Sequence, residues 1–199
     1  FLTADHGVAH VPGYLKERKI PAGAVNDGAV VKQLNDSIAA KWGITNAIAS
    51  AYNYQISFSA KAFNSKEDKQ EEITEYVIKQ LLKQEGVANA FAIEELMEVP
   101  LNRKLREMLA NGYYPGRSGS IQIILKPGYI DGGNTGTTHG LWNPYDTHIP
   151  CLWYGWGIQK GQTYRETYMT DIAPTIAALL NIQVPNGSIG TVITEALKK

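Results

Sequence analysis

The 199 residues are 44% hydrophobic and 19% charged, enough apolar length to bury one substantial core. Nineteen Lys and Arg balance nineteen Asp and Glu, which excludes a strong overall field for gathering nucleic acid or an acidic membrane. The single cysteine, Cys151, excludes a disulfide framework within the chain, and no apolar run reaches the roughly eighteen residues that a bilayer span needs.

The opening Phe1-Leu2-Thr3-Ala4 reads as the end of a strand, and Asp5-His6-Gly7 as the turn that stops it. It has neither an initiator Met nor the basic start and long apolar stretch of a signal peptide; the expectation is a chain cut from a longer one. A helix is predicted over Asp27–Trp42, with Val30, Val31, Leu34, Ile38 and Trp42 on one side and Gly43 as its left-handed cap. Tyr54, Ile56 and Phe58 alternate as in a half-buried strand. Ser65-Lys66-Glu67-Asp68 has the form of a capping box, followed by the stripe Ile73, Val77, Leu81 and Leu82 and by Gly86 as a stop.

Val87–Ile93 is a second strand, and Leu101–Ala110 a short helix with Leu101, Leu105, Met108 and Leu109 inward. Ile121, Ile123 and Leu125 alternate before Pro127-Gly128 breaks the strand. The glycine-rich stretch from Gly132 to Gly140 is a loop, the kind of segment in which sites are built. Ile149–Gly155 is apolar on both alternations, which predicts a central strand covered on two faces and a buried Cys151 thiol. Thr170–Leu180 then reads as a helix with a polar cap, Pro in its first turn, and Ile172, Ile176, Leu179 and Leu180 toward the sheet. Alternating strands and helices imply an α/β fold. The segment 43–126 is a possible inserted α+β layer within it.

Four histidines, His6, His10, His139 and His148, fall in two loops. Asp5-His6 sets a carboxylate and an imidazole side by side at a strand end, a pair that zinc accepts; the alternative is a polar turn. Gly136-Thr137-Thr138-His139-Gly140 presents a second imidazole between flexible residues, followed by Tyr145-Asp146-Thr147-His148. His148 competes with His139 as a late ligand but enters the predicted buried strand. His10 is read as structural, because Gly7 disfavours the helix that would align it with His6.

Three motifs together resemble the alkaline phosphatase superfamily, in the branch near the type I phosphodiesterases, the nucleotide pyrophosphatases and the Thr-nucleophile bacterial alkaline phosphatases. Thr3-Ala4-Asp5-His6-Gly7 is similar to the family's strand-end metal motif, Thr138-His139-Gly140 through Asp146 to its late histidine motif, and Thr170-Asp171-Ile172-Ala173-Pro174-Thr175-Ile176 to the helix after its last core strand. The resemblance implies the C-terminal part, residues 1–199, of an α/β/α sandwich catalytic domain that hydrolyses phosphate monoesters with two zinc ions through a phospho-enzyme. By motif it gives Asp5 and His6 to the ion beside the nucleophile and His139 to its neighbour.

No aspartate has a histidine four residues on. The remaining ligands and the nucleophile are therefore expected outside this stretch, with zinc bound weakly and no turnover by the stretch alone. The resemblance also implies a small phosphate-ester substrate, no nucleic-acid partner and a periplasmic or secreted location. Open sheet edges suggest a homodimer. Rival readings are a phosphodiesterase or nucleotide pyrophosphatase of the same superfamily, and a non-catalytic α/β binding module in which Asp5, His6 and His139 diverge.

Overall fold

Residues 1–64, 67–133 and 135–197 are described in this computed structural model. Helices and strands alternate along the chain, which divides into two compact units, Phe1–Asp5 with Ile149–Lys199, and His6–His148.

The smaller unit opens with β1 (Leu2–Thr3). In the larger unit, α1 (Pro12–Glu17) starts on a proline, where the missing N–H would have had no helical partner, and β2 (Gly23–Val25) follows. Helix α2 (Asp27–Trp42) is bounded as its sequence predicts: Asn26 Oδ1 accepts from Ala29 N at 2.9 Å, and Gly43 closes the last turn at φ 65°. The hairpin of β3 (Ile48–Tyr52) and β4 (Gln55–Phe58) turns on Asn53 and Tyr54. Both have positive φ, 50° and 60°, as a tight two-residue connection demands. Tyr54, read as the first residue of a strand, is therefore a turn residue, although its ring stays buried.

After α3 (Ala60–Phe63), a single 3₁₀ turn leads into α4 (Gln70–Leu81). Ser65 and Lys66 of the expected capping box lie outside the described residues. Ile73, Val77 and Leu81 are fully buried, but Leu82 is 47% exposed, since it caps the helix and turns away from the stripe. Strand β5 (Val87–Ala92) precedes α5 (Arg103–Gly112), which Asn102 caps through a 2.9 Å bond from Leu105 N. Leu105 is buried there, whereas Met108, expected inward, is exposed. Next come β6 (Ile121–Leu125), β7 (Tyr129–Asp131) and α6 (Pro144–Thr147).

Four strands form an antiparallel sheet in the order β3-β4-β6-β5. Strand β6 is buried along its whole length, because helices cover both faces. Ile121, Ile123 and Leu125 join Leu34, Ile38, Ile73, Val77 and Leu81 from α2 and α4, while Ile124 packs with Phe91, Leu96 and Leu105 on the α5 side. The buried amide of Gln122 donates to the carbonyls of Tyr54 and Ile123 at 3.1 and 3.0 Å, so its burial leaves no lost donor. Strands β2 and β7 pair in parallel, Gly23 to Tyr129 through Val25 to Asp131, and lead into the glycine-rich loop.

Asp27, in the first turn of α2, has its carboxyl pushed up to about 6 by burial and, second, by the charge of Asp131. The helix N-terminus favours a carboxylate, but here burial outweighs it. A proton held more tightly when folded means that stability falls as pH rises from about 4 to about 6 and stays lower above that. After solvent screening the loss is about 1 kcal/mol. Asp27→Asn is expected to flatten this decline and to raise the melting temperature at neutral pH, as thermal melts across the window would register.

In the smaller unit, β1 pairs antiparallel with β8 (Cys151–Leu152), Leu2 opposite Leu152 and Thr3 opposite Cys151. This departs from the expected central strand over Ile149–Gly155. Cys151 is exposed and Leu152 is 58% exposed, because a two-stranded ladder within this unit offers no second layer to cover them. Helix α7 (Ile172–Leu180) forms where predicted but buries Pro174, Thr175 and Ala177, leaving Leu180 58% exposed.

The reason is a buried polar clasp. Asp171 accepts from Tyr168 N at 3.0 Å and Thr191 N at 2.8 Å, and the Thr175 hydroxyl donates to the Asp171 carbonyl and accepts from Ile193 N. These bonds turn the Thr175 side of α7 inward. Among the described residues, no helix is long and apolar enough to cross a membrane.

Candidate active site

The larger unit brings its first residues against its last. Gly7 N donates to the Asp146 carbonyl at 2.6 Å, Val8 N to the Tyr145 carbonyl at 3.1 Å and Ala9 N to the Thr138 carbonyl at 3.1 Å, while the Thr137 hydroxyl donates to the Ala9 carbonyl. Residues 7–9 are thus bonded to both ends of the late loop. A side chain at position 7 would prevent this: a Cβ on Gly7 would stand 2.3 Å from the Tyr145 oxygen and 3.0 Å from the Asp146 Cα.

The consequence is a close meeting of two imidazoles. The rings of His6 and His139 stack with centroids 3.6 Å apart and planes 12° apart. His6 Nδ1 lies 2.5 Å from the Gly7 carbonyl oxygen. A carbonyl only accepts, so Nδ1 is the donor, which in a neutral imidazole leaves the lone pair on Nε2. That is the state in which an imidazole binds a metal ion.

The same late segment holds a buried carboxylate. Asp146, in α6, is 3% exposed, and its Oδ2 accepts from Leu141 N at 2.6 Å. Its Oδ1 is buried and has no hydrogen-bond partner among the described residues. The same turn is braced by Asn143, whose carbonyl accepts from Asp146 N and Thr147 N at 2.9 and 3.0 Å and whose amide donates to the Tyr145 hydroxyl at 2.8 Å. Sequence reasoning had Asp146 within a motif but gave it no task. The signal was a lone acid in an otherwise uncharged stretch just before Ile149.

The other expected residues fall as follows. Asp5 is exposed, at the end of the smaller unit's first segment and one peptide bond before His6. His10 stands apart from the stack, its ring 6.4 Å from that of Tyr14 and 6.2 Å from that of Tyr145. His148 is exposed, its backbone N–H bonded to the Pro144 carbonyl. The Thr137 and Thr138 hydroxyls face backbone carbonyls, where an attacking group has no use.

Among the described residues, no group of three or more His, Cys, Asp or Glu side chains gathers around a point that could hold a metal ion. The two rings nevertheless suit zinc chemistry. An imidazole nitrogen is a donor that zinc accepts, and two rings stacked this closely suit one ring per ion. The 3.6 Å between centroids is close to the ~3.5–4 Å between the ions of two-metal hydrolases.

No family model matches the chain. It is 43% identical over 201 residues to a protein of Myroides odoratus described as a calcium-transporting ATPase, covering 100% of this chain and 37% of that protein. It is 40% identical over 198 residues to alkaline phosphatase PafA of Elizabethkingia meningoseptica, 99% of this chain and 36% of PafA. With alkaline phosphatase PhoV of Synechococcus elongatus the identity is 42% over 198 residues, 100% of this chain and 36% of PhoV. The crystal structure of wild-type PafA matches with a TM-score of 0.91 at 39% identity, over 99% of this chain and 38% of PafA's. The chain therefore spans well under half of the length of these relatives, and over that stretch it is similar to alkaline phosphatases PafA and PhoV and has the fold of the matching part of PafA.

Proposed function

We propose that the protein to which this stretch belongs hydrolyses phosphate monoesters through a phospho-enzyme, at two neighbouring zinc ions, with Asp5 and His6 serving one ion and His139 the other. The observation that carries this reading is the stack of His6 on His139 at 3.6 Å, in a stretch of chain similar from end to end to part of two alkaline phosphatases. A binding module would have these rings diverge, so the stack favours the catalytic reading. The relative described as a calcium-transporting ATPase is accommodated if the chemistry held in common is cleavage of a phosphate bond.

Zinc, when bound, supplies positive charge for the attacking and leaving oxygens of the phosphoryl group. The residues of this chain hold and orient. His6 presents Nε2 because the Gly7 carbonyl fixes its proton on Nδ1, and residues 7–9 keep that ring beside His139. The other ligands and the nucleophile come from parts of the protein beyond this stretch. The superfamily relationship is the support for a periplasmic or secreted location, and open sheet edges are the support for a homodimer of this stretch on its own.

The test is turnover by the full-length protein of an aryl phosphate monoester and the matching diester, before and after a chelator and after zinc is restored. Monoester turnover that is lost to the chelator, restored by zinc and faster than diester turnover is expected. Faster diester turnover would give the protein to the phosphodiesterase branch, and activity indifferent to metal stripping would overturn the zinc reading.

A further inference from the structure

We propose that Asp146 is a positioning residue for His139: its Oδ2 fixes the His139 loop through Leu141 N, and its buried Oδ1 accepts the second ring N–H of His139 when that ring binds a metal ion. The inference rests on the reading of His139 as a metal donor given above. A buried acceptor without a partner, on the loop that carries His139, is the observation behind it. Asp146 Oδ1 is buried and accepts no hydrogen bond among the described residues, a costly state for a carboxylate oxygen. His139 is exposed, so its ring nitrogens are open to solvent or to a metal ion, and the ring stacks on His6.

These two groups close the same short turn. Asp146 Oδ2 reaches Leu141 N at 2.6 Å, two residues from His139, so the carboxylate is already tied to the backbone that carries the ring. His6 has no such need, because its second nitrogen is committed to the Gly7 carbonyl. A metal-binding imidazole normally donates its other N–H to a carboxylate or a carbonyl, which fixes the tautomer and strengthens the donor. Gly7 performs that service for His6; for His139 the group assigned to it is Asp146, the buried carboxylate tied to the same loop at Leu141 N. The Asp146 carbonyl, holding Gly7 N at 2.6 Å, makes the same residue the link between the two rings.

The experiment uses the full-length protein with Asp146→Asn, Asp146→Ala and His139→Ala, and reads zinc affinity by chelator competition, imidazole nitrogen shifts of the zinc-loaded protein and the melting temperature of the metal-free protein. Asn keeps an oxygen for Leu141 N but offers an amide donor where the ring needs an acceptor. Asp146→Asn is therefore expected to weaken zinc binding about 10–100-fold, to move the His139 nitrogen shifts and to leave the metal-free melting temperature nearly unchanged. Asp146→Ala should also lower that temperature. If Asp146→Asn matches the wild type in affinity and nitrogen shifts while His139→Ala loses zinc, the Asp146 role is wrong and the site reading stands. If His139→Ala also keeps full affinity, both fall.

Discussion

His139→Ala in the full-length protein is expected to lower kcat/KM for a phosphate monoester about a thousandfold, equivalent to about 4 kcal/mol of transition-state stabilisation. The argument is geometric. His139 lies 3.6 Å ring-to-ring from His6 on a loop tied at Leu141 and Thr138, whereas the ring contacts of His10 are to Tyr14 and Tyr145 and His148 follows α6, its N–H bonded to the Pro144 carbonyl. His10→Ala and His148→Ala are accordingly expected to change turnover by about twofold at most. Rates measured in excess zinc separate lost affinity from lost chemistry. A His139→Ala enzyme within a few-fold of wild type would remove His139 from the site.

Gly7→Ala should be the most damaging change that alters no chemical group. Its Cβ would sit 2.3 Å from the Tyr145 carbonyl oxygen, well inside van der Waals contact and against backbone that has no rotamer to change. Relief requires residues 7–8 to leave the 145–146 turn, breaking the 2.6 and 3.1 Å bonds from Gly7 N and Val8 N. We expect a stability loss of about 2–4 kcal/mol. Displacement of His6 from His139 by an ångström is expected to cost about a hundredfold in turnover. Denaturant melts and kinetics on the same variant check both. An Ala variant with wild-type stability would mean that this contact does not hold the two rings together.

The parts of the fold that were legible in the sequence are those governed by local chemistry. Helix α2 announces itself by the Leu34 and Ile38 stripe and the Gly43 stop, both of which act within a few residues. Strand β6 reads as apolar at every second position, but the cover on its other face comes from α5, which local pattern does not reveal. The Ile149–Gly155 run misled because apolar composition reports what a segment can bury, whereas burial depends on what packs against it. Helix α7 rotated away from its apolar stripe for the same kind of reason, since Asp171 and Thr175 find partners at Thr191 and Ile193, about twenty residues on.

At the site, His6 and His139 were legible through their glycine neighbours and the motif resemblance. Asp146 showed only as a lone acid in an uncharged stretch, because its burial and its bond to Leu141 leave no pattern of their own. Gly7 was read as a permissive turn residue. Its actual constraint is the closeness of a carbonyl that lies 138 residues further along the chain.

The most direct measurement is zinc-edge anomalous diffraction from crystals of the zinc-loaded full-length protein. The account predicts two anomalous peaks about 4 Å apart, one about 2.0–2.1 Å from His6 Nε2 and the other at the same distance from a His139 ring nitrogen. A single peak shared by both rings, or peaks that touch neither, would contradict it.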